Sequence, residues 1–417
     1  MAIGSKLPRI RVARAQSEKT EYSPVATYYM ILVSALLLAV FGIVMTFSAT
    51  AVHNISANVN PYMAFTRNVV IVVFSLMVAF VASRIRPKFW EQWAWAIFIF
   101  ALLFQVSVVP FGAAQGGNQN WVRIPVVNQM IQPSEFLKLA TALVLARVLA
   151  RLGTRITNLK DVAVAAGIPS ALALVAVMLG QDMGTALVFV AIIAGSLWMA
   201  GVPIRWFVGL GIAFGGAAAF FVAINPSRAR RVLEMLPGMG SVPDPSAPTQ
   251  MAQGLWALGS GGLVGLGPGA SRAKWNYLQE AETDFILAIV GEEFGLIGTL
   301  TLITMLGVLV WGVIRLSAHA STAFIRVASG GIAAWLIFQG FVNIGTVTGL
   351  TPVIGVPFPL VSYGGSAFLF TAMAIGVLLS FAGFDAGLLG RRRRVHETGK
   401  QDPRVLPKRV QVKRRRK

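Results

Sequence analysis

Ten apolar runs recur along this chain, and they constrain its fold more than any other feature. They lie near residues 28–48, 68–82, 90–110, 134–150, 162–179, 184–200, 204–224, 285–314, 327–348 and 367–384. Crossing the roughly 30 Å of bilayer hydrocarbon takes about 20 apolar residues, and most of these runs approach or exceed that length. Only 12% of the residues are charged and 56% are apolar, against roughly 25% charged in a soluble domain. Water is therefore not the solvent for most of this surface. The first 25 residues are polar and contain Lys6, Arg9, Arg11, Arg14 and Lys19. The apolar run that follows is too long for a signal-peptide core and lacks a small-residue cleavage pattern, so it is expected to stay as an anchor.

An even number of spans puts both ends of the chain on one side, and the distribution of basic residues selects that side. With both tails in the cytosol, Arg84, Arg86, Lys88, Arg147, Arg151, Arg155, Lys160, Arg205, Arg315 and Arg326 also fall in cytosolic loops or helix ends, so that 28 of 36 basic residues lie inside. The expected fold is an all-α polytopic membrane protein of about ten transmembrane helices. Both termini are cytoplasmic, and one long extracytoplasmic loop, 225–284, joins helices 7 and 8. Residues 1–26 form a cytoplasmic tail, 27–386 the transmembrane domain, and 387–417 a basic, disordered cytoplasmic tail. The stretch 391–417 carries thirteen Lys or Arg and two acids, with no Phe, Trp or Tyr. Without aromatics for base stacking, such a tail suits anionic lipid at the cytosolic face rather than nucleic acid. The absence of cysteine and the scatter of His53, His319 and His396 exclude disulfides and thiolate or His-rich metal sites.

The outer loop runs against the charge bias. It carries Arg228, Arg230, Arg231, Arg272 and Lys274 beside Glu234, Asp244, Glu280, Glu282 and Asp284. Long loops translocate regardless of charge, so a solvated cap explains them as well as a site does; loops of this length are nonetheless uncommon unless functional. Within the loop, Met251, Leu255 and Leu258 share a helical face ahead of Gly259-Ser260-Gly261-Gly262, which predicts a short interfacial helix. The Gly-rich run 259–269 lacks the Lys-Ser/Thr of a nucleotide-binding loop.

Ionisable groups at membrane depth are functional candidates by default. Glu135 and Lys138 stand at i, i+3 on the fourth helix, where they can pair on one face, as a structural ion pair or a functional one. Asp182 opens the sixth helix, where capping explains it equally. Glu292 and Glu293 lie about two turns below Asp284, at 1.5 Å per residue; a bend of this long eighth run is expected at Gly295 or Gly298. Asp284 itself stands at the outer mouth of that helix. It reads either as a helix-dipole partner or as a general base facing a diphosphate-binding patch of Arg and Lys. Between helices 9 and 10, three prolines and four glycines in 349–366 forbid a continuous helix. At membrane depth such backbone survives only where protein buries it or where it lines a cavity.

In this order and spacing the motifs resemble the SEDS family (shape, elongation, division and sporulation) of polytopic glycosyltransferases. The resemblance rests on Gln132-Pro133-Ser134-Glu135 with Lys138, Asp182-Met183-Gly184-Thr185, Ala257-Leu258-Gly259-Ser260-Gly261-Gly262, Thr283-Asp284-Phe285, Gly291-Glu292-Glu293 and Pro359-Leu360-Val361-Ser362-Tyr363-Gly364-Gly365-Ser366. It implies that Asp284 is the essential aspartate and that Glu135 and Lys138 are the paired charges of the fourth helix. Ser271, Lys274 and Tyr277 within 267–277, with Met45-Thr46-Phe47-Ser48-Ala49, look more like the division branch (FtsW-like) than the elongation branch (RodA-like). Glu282 replaces a customary His, Gln279 and Gln181 replace customary prolines, and Val347 or Thr348 replaces a customary Asn.

The implied activity is polymerisation of lipid II into glycan strands at the outer face of the cytoplasmic membrane, at the division septum. Candidate contacts to lipid II and the polyprenyl diphosphate glycan are Arg228, Arg231, Arg272, Lys274, Glu282, Ser362, Gly364 and Gly365, with Asp182 and Glu292 as further motif residues. A divalent cation, Mg or Mn, is an alternative source of positive charge, and the residues leave its ligands open. The resemblance also implies a class B penicillin-binding protein, an FtsI-like transpeptidase, and other division proteins as partners. A flippase for the lipid-linked precursor and a noncatalytic scaffold are the rival readings.

Overall fold

The computed structural model describes residues 22–56, 60–115, 118–124, 129–224, 229, 249–275, 278 and 280–389. Arg228, Arg231 and Tyr277 and nearly all of both tails, with the expectations placed on them, lie outside the described residues. The chain is an all-α polytopic membrane protein. Its longer helices are α1 (Pro24–Ser56), α2 (Pro61–Arg84), α3 (Pro87–Val106), α4 (Pro133–Leu152), α5 (Ile168–Leu179), α6 (Met183–Ala200), α7 (Arg205–Ala223), α8 (Gln250–Ser260), α9 (Ile286–Ala318), α10 (Ala323–Val347) and α11 (Gly365–Asp385). Proline opens α2, α3 and α4, where its missing N–H costs nothing. Side-chain oxygens of Asn60, Asp182, Thr249 and Thr322 cap α2, α6, α8 and α10.

Nine described segments are long and apolar enough to cross a membrane, and they coincide with nine of the ten apolar runs. The exception is α4. Its 20 residues carry Glu135, Lys138, Arg147 and Arg151, yet its positions from Leu137 to Ala146 are all buried. It packs against α3, α6 and α10. Arg147 spends its charge on the carbonyls of Glu91 and Gln92 at the start of α3. The core sits around α4, α10 and α11: the apolar windows of α10 and α11 are 72% and 78% buried, whereas none of that of α7 is.

Three features add to the sequence expectation. A small antiparallel sheet, β1 (Gly112–Gln115), β2 (Asn118–Ile124) and β3 (Gln129–Ile131), fills the connection between α3 and α4. The expected short helix exists as α8, but it buries Gly254 and Ala257 while Leu255 stays exposed. The small residues let it lie close: a Cβ at Gly254 would stand 2.7 Å from the Phe285 ring.

The third concerns α9, which is broken at Gly295 (φ 65°, ψ −161°), roughly 14 Å along the helix at 1.5 Å per residue. The loop that follows α8 docks into this break. Leu296 and Ile297 donate their N–H groups to the carbonyls of Gly262 and Leu263 (2.9 and 3.2 Å), and the carbonyls of Glu292 and Glu293 accept from Leu266 and Gly267 (2.9 and 3.0 Å). The backbone groups freed by the break are thus paired within the protein, as an apolar medium demands. Only glycine permits the approach: a Cβ on Gly265 (φ 84°) would fall 2.2 Å from the Glu293 carbonyl oxygen.

Candidate active site around Asp284

Two non-helical segments meet at the N-terminal end of α9, one from the α8–α9 connection and one from the α10–α11 connection. Asp284 lies between them, half-buried, one residue before the fully buried Phe285. The turn that carries it is closed by the Glu280 carbonyl, which accepts from Thr283 and Phe285 (both 3.2 Å). Asn343 of α10 donates one hydrogen bond to the Asp284 carbonyl and one to the Val356 carbonyl, both 2.9 Å. Tyr363 N–H reaches the Glu282 carbonyl at 2.8 Å. A methyl at Gly355 would stand 3.7 Å from Asp284 Oδ2, so the carboxylate itself faces the 349–364 segment.

That segment is held by neutral groups. Gln339 Nε2 donates to the Pro357 carbonyl (2.7 Å), Thr351 Oγ1 to the Val342 carbonyl (3.2 Å), and Phe358 N–H to Ser362 Oγ (2.8 Å). Ser362, a candidate substrate contact from the sequence, is 6% exposed and accepts this internal bond. Gly364 and Gly365 line a small crevice with Thr46 of α1 and Asn68 of α2.

The segment from Gly261 to Lys274 is held by charge. Glu292 accepts from Ser271 Oγ (2.5 Å) and from the N–H groups of Arg272 and Ala273 (3.0 and 3.2 Å). Lys274 Nζ pairs with Glu293 Oε1 (2.8 Å), and donates to Ser48 Oγ (3.0 Å) and the Gly269 carbonyl (2.6 Å). Lys274 was expected to face a diphosphate; its ammonium is instead turned inward and 6% exposed. Arg272 from the same set stays exposed, on the rim of a cavity of about 250 Å³ with Gln253, Trp256 and Ser260. Ser271 and Lys274 have the spacing of a Ser-x-x-Lys nucleophile and base, but their side chains engage different carboxylates, Glu292 and Glu293.

Glu135 and Lys138 form a buried ion pair, 2.8 Å between Oε2 and Nζ, at an angle that is not a hydrogen bond's. Lys138 also approaches Gln339 Oε1 (3.3 Å) and lies 4.5 Å from the centre of the Trp335 ring. Asp182 caps α6 through Thr185 N–H (2.9 Å) and ties in Asn120 of β2 (2.6 Å) and Gln132 (2.9 Å). Among the described residues no three His, Cys, Asp or Glu side chains converge as metal ligands. Sequence reasoning missed Gln339 and Asn343. Their signal was available, as amides one turn apart in a helix whose one charged residue, Arg326, lies in the first turn.

The family model described as "Cell cycle protein", FtsW/RodA/SpoVE, matches residues 28–386. The chain belongs to the FtsW/RodA/SpoVE family. It is 34% identical over 356 residues to a protein of Haemophilus influenzae named "Probable peptidoglycan glycosyltransferase FtsW", covering 82% of this chain and 87% of that one. It is 33% identical over 355 residues to "Stage V sporulation protein E" of Bacillus subtilis, covering 84% and 95%. Among solved structures, the fold resembles the rod shape determining protein RodA of Thermus thermophilus (TM-score 0.63, 22% identity, 85% and 96% covered). It also resembles a chain in a structure described as a peptidoglycan synthase complex that coordinates polymerization and crosslinking (TM-score 0.68, 24% identity, 84% and 96% covered). Asp284, Glu292, Glu293 and the 349–364 segment all fall inside the region that this FtsW/RodA/SpoVE chain shares with its family.

Proposed function

We propose that this chain is a peptidoglycan glycosyltransferase that polymerises lipid II at the outer face of the cytoplasmic membrane, for septal synthesis in cell division. The observation that carries the reading is the half-buried Asp284 carboxylate, set between two non-helical segments at the N-terminal end of α9. In this reading α4 is the tenth span, both termini are cytosolic, and 225–284 lies outside. The basic residues support that orientation, and pairing of Glu135 with Lys138 would let α4 carry its charge at membrane depth.

The reaction transfers a growing glycan from its polyprenyl diphosphate to a sugar hydroxyl of lipid II. The acceptor oxygen attacks the anomeric carbon, its proton passes to Asp284, and the bond from that carbon to the diphosphate oxygen breaks with inversion. A positioned base of this kind contributes about 10²–10⁴-fold. The departing diphosphate needs positive charge. Arg272 is the exposed donor beside the cavity; Arg228, Arg231 or a divalent cation would add to it. The apolar flanks of the helices accept the lipid tails.

A class B penicillin-binding protein would cross-link the product. Its single helix is proposed to dock against the late helices, with its outer domain over 225–282, shifting the loop that leads to Asp284 toward a competent state. The test is polymerisation of lipid II by the purified chain, alone and with a partner whose transpeptidase serine is removed. Glycan strands in either assay support the enzyme reading, and more of them with the partner support activation. Lipid II carried across vesicles without polymerisation would favour a transporter instead.

A further inference from the structure

The polar face of α10 joins two features that the proposed function treats separately, the Glu135–Lys138 pair and Asp284. Gln339 is 1% exposed and Asn343 is fully buried, and they lie one helical turn apart. Gln339 Oε1 accepts from Lys138 Nζ (3.3 Å) and from Trp335 Nε1 (2.5 Å), and its Nε2 donates to the Pro357 carbonyl (2.7 Å). Asn343 Nδ2 then donates to the neighbouring Val356 carbonyl and to the Asp284 carbonyl, both 2.9 Å. Both amides therefore donate into the same segment, at the adjacent carbonyls of Pro357 and Val356, and Asn343 also reaches the main chain of Asp284.

The orientation of both amides is fixed by their partners. Gln339 Oε1 faces two donors and its nitrogen faces a carbonyl. The Asn343 nitrogen faces two carbonyls, while its Oδ1 is buried with no hydrogen-bond partner. An uncompensated buried acceptor is unfavourable. A side chain there for packing alone would be apolar, so the two donated bonds give this amide its purpose.

We propose that Gln339 and Asn343 are positioning residues for Asp284, and that the Glu135–Lys138 pair acts on catalysis through them. Lys138 orients the Gln339 amide, so that its nitrogen faces the Pro357 carbonyl. Gln339 and Asn343 hold adjacent carbonyls of the 349–364 segment, and Asn343 also ties the Asp284 backbone to it, beside the main-chain bond from Tyr363 to Glu282. None of these side chains touches the reacting atoms. Their effect is on where the Asp284 carboxylate stands.

The inference rests on Asp284 being the base, so Asp284→Asn belongs in the same experiment. Lipid II polymerisation is measured with the purified full chain and its activating partner for Asn343→Leu, Gln339→Met, Lys138→Met and the Lys138→Met/Asn343→Leu double variant. Thermal unfolding in detergent serves as the folding control. A misplacement of about 1 Å can cost on the order of a hundredfold. Asn343→Leu is expected to lower kcat about tenfold to a hundredfold, with KM for lipid II within about twofold. Gln339→Met is expected to follow in the same direction. The double variant is expected to be no slower than its slower parent, because both changes loosen the same segment; independent sites would multiply. Folded Asn343→Leu and Gln339→Met variants with wild-type kcat, or multiplicative losses, overturn the proposal. If neither variant folds, the proposal also fails, since the ladder would then be a folding element. Wild-type polymerisation by Asp284→Asn would instead overturn the reading of the base itself.

Discussion

The two non-helical segments beside Asp284 solve one problem by opposite means. Both place irregular backbone next to apolar helices, where every N–H and C=O needs a partner. The segment from Gly261 to Lys274 borrows the backbone of the broken α9 and is fastened by Glu292 and Glu293. The segment 349–364 rests on neutral side chains of α10 and on its own Ser362. The first leaves Leu263 and Val264 exposed, 69% and 74%; the second exposes Leu350 (71%) at its start and buries Val356, Phe358, Leu360 and Val361. A charged fastening is costly to break because the remaining partner becomes an unpaired buried ion. Loss of a neutral one costs a hydrogen bond and its desolvation. The first segment should therefore release as a unit, and the second should loosen by degrees.

The largest effect expected is at Lys274. Lys274→Ala leaves Glu293 buried without its cation, which should destabilise the protein by about 3–5 kcal/mol. The Lys274→Leu/Glu293→Leu double variant should unfold at a higher temperature than Lys274→Ala. Thermal unfolding in detergent checks both. Wild-type stability of Lys274→Ala would erase the contrast between the segments.

The Glu135–Lys138 pair sharpens the comparison, because its two members differ in their other contacts. Lys138→Ala strands Glu135, again at about 3–5 kcal/mol. Glu135→Ala leaves Lys138 with Gln339 and the Trp335 ring, so the loss should be smaller. Replacing both by apolar residues should be milder than Lys138→Ala alone. Equal losses from the two single changes would mean that Gln339 and Trp335 contribute nothing to holding the lysine.

Gly265→Ala tests the docking itself. Its φ of 84° is one that a side chain rarely adopts, and its Cβ would overlap the Glu293 carbonyl. Backbone strain of this kind costs about 1–3 kcal/mol. Because the loop can undock instead, faster proteolysis within 261–274 is expected, with the rest of the fold intact. An unchanged proteolytic pattern would show that the loop is not seated in the break.

Much of this was legible in the sequence for a physical reason: a bilayer leaves few options. Apolar length located the spans, and three prolines with four glycines marked 349–366 as broken backbone. Gly295 was one of two glycines at which α9 was expected to bend. What fills the bend was not legible, since nothing local in the 261–267 run says that its carbonyls complete a helix about thirty residues further on. Lys274 was misplaced for a similar cause. A lysine in a charged outer loop suggests an anion, and only the fold brings Glu293 and Ser48 to it. Asp284 stood out in the sequence because carboxylates at an expected membrane boundary are few. The amides that hold it were missed because Gln339 and Asn343 carry no charge.

The measurement that reaches the central claim most directly is lipid II polymerisation by Asp284→Asn beside the wild-type chain, each purified with the same partner. The substitution keeps the volume and the main-chain bond from Asn343, and removes only the capacity to take a proton. The account predicts a loss of about 10²–10⁴-fold with the unfolding temperature unchanged. Glycan strands formed by Asp284→Asn at the wild-type rate would contradict it.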